Sequence, residues 1–176
     1  MNIIIKKHKD QALSLETLKA HLRIDHNHED TYLTTIVDIA TELLENSIEK
    51  PILEKTYRYT HYSDELSSSK KILLPVSHVK KIISVKRVLA NGSREVFLYT
   101  TQNYGDKTLL VTNGSKYPIE IEYTAGLTDR IAEIPDDLKL AILHISKNIY
   151  ECSEADIMES KYIRHIVNAH RPLSVC

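Results

Sequence analysis

Glycine and tryptophan are scarce in this sequence, which has four glycines and no tryptophan among its 176 residues. Glycine-rich phosphate loops and the sharp turns that present nucleophilic serines both need glycine at several positions. The two cysteines, Cys152 and Cys176, are too few for a disulfide framework and too far apart in sequence for a zinc knuckle. The sequence therefore predicts free thiols, no catalytic residue, no cofactor and no bound metal.

Long apolar runs and a dominant charge are also missing. Lys and Arg together number 23 and Asp and Glu number 24, so no overall field favours nucleic acid or an acidic membrane. The isoleucines at 3–5 precede the charges of Lys6 and Lys7, which is the reverse of the order in a signal peptide. We expect a soluble protein with no membrane partner.

Apolar residues recur at helical spacing in four segments, which predict helices over residues 15–22, about 28–47, 136–151 and 157–169. The third segment is the most apolar around its circumference. Pro135 fits its first turn, and Asp136 and Asp137 complement the positive end of the helix dipole. We therefore expect this helix to be buried at the centre of the domain.

Between the second and third long helices the period changes to two, which predicts an antiparallel insert of five or six strands over residues 55–124. Candidate strands are residues 56–62, 72–74, 82–89, 95–99, 108–112 and 119–124. Asn-Gly pairs at 91–92 and 113–114 each predict a hairpin. Residues 3–5 are a further extended segment.

These elements predict an α+β fold: a small helical bundle around a buried central helix, with an antiparallel β insert of hairpins. We expect a single domain over residues 1–176. Its parts are helices at 14–48, the insert at 55–124, the central helix at 136–151, and a C-terminal helix and tail at 157–176.

The densest group of potential metal ligands is His21, His26 and His28, with acidic residues at 25, 29 and 30 beside them. Their spacing matches no ligand pattern, so a solvated loop with Asn27 capping the next helix is the better interpretation. No serine or cysteine motif indicates that His144 on the central helix acts as a general base, and we expect it to be a core or interface histidine.

A set of short stretches, taken in order, resembles the phage head-tail connector (adaptor) proteins, in the branch with a β insert. The first is Leu-Lys-Ala-His-Leu-Arg-Ile-Asp at 18–25, which contains the family-motif turn residues His21, Arg23 and Asp25. The others are residues 29–30, 72–75, 83–85, 91–92, 121–127, 134–142, 150–151 and 170–175. Together they extend over nearly the whole chain.

The resemblance implies a structural virion protein that takes part in virion assembly and DNA packaging. Such a protein binds the portal ring of a tailed phage or prophage at the head-tail junction and extends the DNA channel toward the tail. Its expected partners are the portal protein, a stopper or tail-completion protein and further copies of itself in a cyclic ring. Contact with DNA would be non-specific, and assembly would take place in the host cytoplasm.

The C-terminal helix ends in a short tail, so we expect its apolar stripe to lack cover from its own domain. The residues predicted to dock on the portal or on a neighbouring protomer are Ile163, Ile166, Val167, Arg171 and Leu173. On this hypothesis, deletion after Ser160 abolishes portal binding and leaves the fold intact.

Arg23 has two interpretations. It either pairs with Asp25, Glu29 or Asp30 and fixes the angle between the first two helices, or it contacts a ring neighbour. The close spacing favours the first interpretation.

Two other functional classes compete with the connector. A DNA-binding packaging accessory protein would need a basic stripe, for which Lys80-Lys81 and Lys86-Arg87 are the candidates, but the near-neutral charge balance argues against it. An enzyme built on the histidine-rich loop would need bound metal.

Overall fold

The computed structural model of the protein describes residues 2–62, 70–113, 115–153 and 157–172. They form a mixed α+β structure with four α-helices and antiparallel sheets, as predicted at that level. Two compact units divide the chain: a β unit with residues 2–7, 54–127 and 172, and a helical unit with residues 8–53 and 128–171. The predicted insert at 55–124 lies within the β unit. That the whole chain acts as one domain stays a prediction.

The β unit contains more strands than the sequence indicated. In chain order they are β1 Asn2–Lys6, β2 Lys55–His61, β3 Lys70–Leu73, β4 Val79–Val88, β5 Arg94–Val96, β6 Tyr99–Tyr104, β7 Lys107–Thr112 and β8 Ile119–Ala125. Strands β1-β2-β8-β4-β5 form one sheet in that order, and β3-β7-β6 form a second. β6 was missed because its residues are mostly polar and exposed.

β8 is the middle strand of the larger sheet and shows the predicted alternation. Ile119, Ile121 and Tyr123 are buried, whereas Glu120 and Glu122 are half-buried on the other face. The buried side chains join residues of the smaller sheet, including Ile72 of β3 and Leu110 of β7, in one apolar core. The two sheets are therefore held together by a shared interior.

One of the two predicted hairpins is confirmed. β4 pairs with β5 across Asn91-Gly92, where Gly92 has a φ of 80°, a conformation that favours glycine. The Asn91 side chain accepts hydrogen bonds from the backbone N–H and the hydroxyl of Ser93.

The second predicted hairpin is wrong. β7 pairs with β3 and β6, and β8 pairs with β2 and β4, so the Asn113-Gly114 connection leads from one sheet to the other. Gly114 itself lies outside the described residues. β7 instead forms its hairpin with β6 through Gly105-Asp106, where Gly105 has a φ of 57°.

The helical unit is built from both ends of the sequence. Its helices are α1 Leu15–Leu22, α2 Asp30–Ile48, α3 Asp136–Tyr150 and α4 Lys161–His170, with short 3-10 turns at Ile131–Glu133 and Ile157–Glu159. α2 and α3 each pack against the other three helices. α3 thus shares the central position with α2, and its Leu140 is exposed.

Candidate interface of the helical unit

The connection between α1 and α2 begins with a left-handed residue that the sequence did not reveal. Arg23 ends α1 with a φ of 60°, and the N–H of Ile24 donates to the carbonyl of Lys19 at 2.9 Å. This geometry satisfies carbonyls at the helix end, and glycine usually supplies it. His21, Arg23 and Asp25 are all exposed, so the whole motif turn faces solvent in the helical unit.

Lys19, and not Arg23, links the two helices. Its Nζ donates to Oδ1 of Asn27 at 2.5 Å and to Oδ1 of Asp30 at 2.9 Å, and its side chain is only 14% exposed. Among the residues that the structure describes, Arg23 forms no ion pair. The favoured interpretation, that Arg23 pairs with a nearby acidic residue and fixes the angle between the first two helices, is therefore wrong.

The start of α2 also differs from the prediction. Glu29, not Asn27, is the N-cap residue, and its side chain makes no capping hydrogen bond. Glu29 instead accepts a hydrogen bond from the Tyr150 hydroxyl at 2.9 Å, which raises the pKa of Tyr150. Since Tyr150 ends α3, this contact ties the start of α2 to the end of α3.

The histidines of this unit form ring contacts. The ring of His144 meets those of His21 and Tyr162 edge to face, with centroids 5.9 Å and 5.6 Å apart. Burial lowers the pKa of His144, and the nearby His21 and Lys147 lower it further. Within the described ranges, no group of three or more His, Cys, Asp or Glu side chains could hold a metal ion.

The C-terminal helix α4 is anchored in its own unit. Ser160 caps it by accepting from the N–H of Ile163, and the apolar stripe of Ile163, Ile166 and Val167 is 0%, 3% and 7% exposed. The expectation of an uncovered stripe is therefore wrong, because a ten-residue amphipathic helix finds cover on α2 and α3. Deletion after Ser160 would expose that core and would not leave the fold intact.

The end of α4 is fixed by two polar contacts. His170 Nε2 lies 2.7 Å from Oδ2 of Asp137 at the start of α3. Arg171 Nε donates to the carbonyl of Ser47 near the end of α2 at 2.8 Å, and Arg171 remains exposed. Leu173 lies outside the described residues.

The basic residues of β4 are partly neutralised. Arg87 Nη2 lies 2.7 Å from Oε2 of Glu95 and also sits over the ring of Phe97. Lys80 and Lys81 are exposed, and Lys86 is half-buried.

Among the described residues, no helix has both the length and the apolar character that a membrane crossing requires.

Solved structures share this fold. A chain in the neck of an empty gene transfer agent (GTA) particle with C6 symmetry matches with a TM-score of 0.79 and 15% identity, over 100% of this chain and 97% of that one. A chain of the native GTA virion matches with 0.79 and 17%, and one in the native neck with C12 symmetry with 0.77 and 16%, both with the same coverage. The chain therefore shares its fold with these three GTA chains.

The family model of the head completion proteins matches residues 11–173, and the chain belongs to that family. This confirms the resemblance to phage head-tail connectors and the prediction of a structural connector role. The DNA-binding accessory alternative receives no support. No curated protein matches the sequence at a significant level.

We expect Lys19→Met to lower the free energy of unfolding by about 1–2 kcal/mol, because two charge-assisted hydrogen bonds are lost from a largely covered side chain. Arg23→Ala is the matched control and should change it by less than about 0.5 kcal/mol. Urea unfolding followed by circular dichroism measures both. If Arg23→Ala lowered the free energy of unfolding more than Lys19→Met, Arg23 and not Lys19 would be the residue that links the two helices.

Ile166→Ala is expected to cost about 2–5 kcal/mol, since it leaves a cavity beneath α4. Asn168→Ala, on the exposed face of the same helix, should cost less than about 0.5 kcal/mol. Equal effects of the two substitutions in thermal unfolding would contradict the burial of α4.

His144 should make stability depend on pH. Its folded-state pKa lies below the ordinary value of 6.5, so the unfolded chain binds the proton more readily. The stabilisation is complete above about pH 6.5 and declines as the pH falls toward the folded-state pKa. We expect the unfolding free energy of His144→Gln to fall less than that of the wild type between about pH 7.5 and 5.5. His26→Gln is the control. A wild-type pH dependence in His144→Gln would refute this prediction.

Proposed function

We propose that this protein forms a ring at the head-tail junction of a tailed phage or prophage virion. The ring lies beneath the portal, extends the DNA channel toward the tail, and offers its far side to a stopper or tail-completion protein. The observation that carries this proposal is the head completion family match over residues 11–173. The fold shared with chains of GTA necks, whose structures have cyclic symmetry, supports it.

The portal-binding surface in this proposal is the end of α4 and the tail that follows it. The buried residues Ile163, Ile166 and Val167 act indirectly, because they hold α4 in the helical unit around α3. Arg171, which follows the last residue of α4, is held by the carbonyl of Ser47 and remains exposed. We assign direct contact to Arg171 and Leu173.

The test is the mass of the protein measured by light scattering, alone and after mixing with the portal protein of the same phage. We expect a large co-eluting complex. A monomer in isolation is compatible with the proposal, because a ring that binds late in assembly needs the portal as its template. Independent elution of two folded proteins would refute the proposal.

The same assay tests the tail. Deletion of residues 173–176 and Arg171→Ala should each weaken portal binding by at least about tenfold, because each removes a direct contact. Arg171→Ala also loses the hydrogen bond to Ser47, so it should lower the free energy of unfolding by about 1 kcal/mol while the variant stays folded. Lys147→Ala removes an exposed cation from α3 and serves as the matched control. If both tail variants bound the portal as tightly as the wild type, the portal-binding surface would have to lie on another part of the protein.

A further inference from the structure

Charge is segregated between two helices of the helical unit. α2 carries Asp30, Asp38, Glu42 and Glu45 and has no Lys, Arg or His. α4 carries Lys161, Arg164 and two histidines and has no Asp or Glu. In a chain whose net charge is only -1, this separation gives the unit one acidic helix and one basic helix.

The exposed face of α2 combines its acids with an apolar stripe. Tyr32, Ile39 and Leu43 are 49%, 43% and 41% exposed, and their spacing places them along one line of the helix. Asp38 and Glu42, one turn apart, form an adjacent exposed row. A stripe of three large apolar side chains beside an acidic row has the composition of an interface.

The exposed face of α4 has the complementary composition. Lys161 and His165, one turn apart, lie at its centre, with Arg164 on one side and Tyr162 and Ala169 on the other. The polar contacts of α4 go to other elements: Arg164 pairs with Glu159, and His170 pairs with Asp137. Neither of these two contacts goes to an acidic residue of α2.

We propose that the exposed face of α2 in one copy binds the exposed face of α4 in the next copy of this chain. The two faces differ, so the contact is heterologous, and a heterologous contact that closes produces a ring. Complementary charge would set the register of the contact, and the apolar stripe would meet Tyr162 and Ala169. This inference rests on the proposed ring and names the surfaces that join its subunits.

Two charge-reversal variants of the full chain test the inference. D38K/E42K makes the α2 face basic, and K161E/H165E makes the α4 face acidic. Each variant alone would oppose like charges at every contact, so we expect ring yield on the portal to fall by at least about tenfold. In an equimolar mixture the reversed faces match each other, and alternating rings should form in near wild-type yield.

The readout is cross-linking between copies on the portal complex, with the mass measured by light scattering. Thermal unfolding checks that each variant is folded, and E16K and K81E, at exposed positions on α1 and β4, are matched controls expected to assemble normally. Recovery in the mixture alone supports the inference, because general loss of stability could not be rescued by a second defective chain.

Other outcomes overturn the inference. Normal rings from either variant would mean that these faces do not meet, while the proposed connector function stands. A defect of K161E/H165E in DNA binding that mixing does not repair would assign the α4 face to nucleic acid. Failure of the wild-type chain to bind the portal would instead remove the proposed function itself.

Discussion

The packing of α2 against α3 is the contact on which the helical unit depends, because the two helices come from chain segments separated by residues 54–127 of the β unit. Closing so long a loop costs conformational entropy. The β unit reduces this cost by its own pairing, since β2 and β8, its first and last long strands, lie in register from Lys55 opposite Ala125. In the helical unit, the backbone bridge between Leu53 and Thr128 similarly joins the two segments. Because the two ends of the inserted segment are paired with each other, the segment does not hold α2 and α3 apart.

The sequence predicted the helices well and the strand pairing less well, for a physical reason. Helical periodicity depends on neighbours three and four residues apart, so the bounds of α1 and α3 follow from local spacing. Strand partners are non-local, and the Asn113-Gly114 pair carried only a local turn preference that the sheet arrangement overrode. β6, with exposed residues on both faces, had no apolar period to detect. For α4, the pattern showed which side is apolar but not what covers it.

The candidate interface was less predictable than the fold. Sequence proximity made Arg23 look like the partner of Asp25, Glu29 or Asp30, but the left-handed backbone at Arg23 accompanies an exposed side chain, and Lys19 takes the contact. Glycine, the usual sign of such a helix end, is absent there. The ring contacts of His144 involve residues far away in sequence, His21 and Tyr162, so no spacing rule could have found them.

The balanced net charge gave no indication that acidic residues are concentrated on α2 and basic residues on α4, the feature on which the proposed ring contact rests. A balance of 23 basic and 24 acidic residues argues against a nucleic-acid partner, yet the same balance is consistent with a chain whose own acidic and basic faces meet. Exposed ion pairs contribute only about 0–1 kcal/mol each, and salt screens them. One contact of this kind would hold two free copies weakly, whereas a portal that aligns many copies supplies a high effective concentration for the same contact. Weak, complementary helix faces therefore suit a ring that forms on its template and not before.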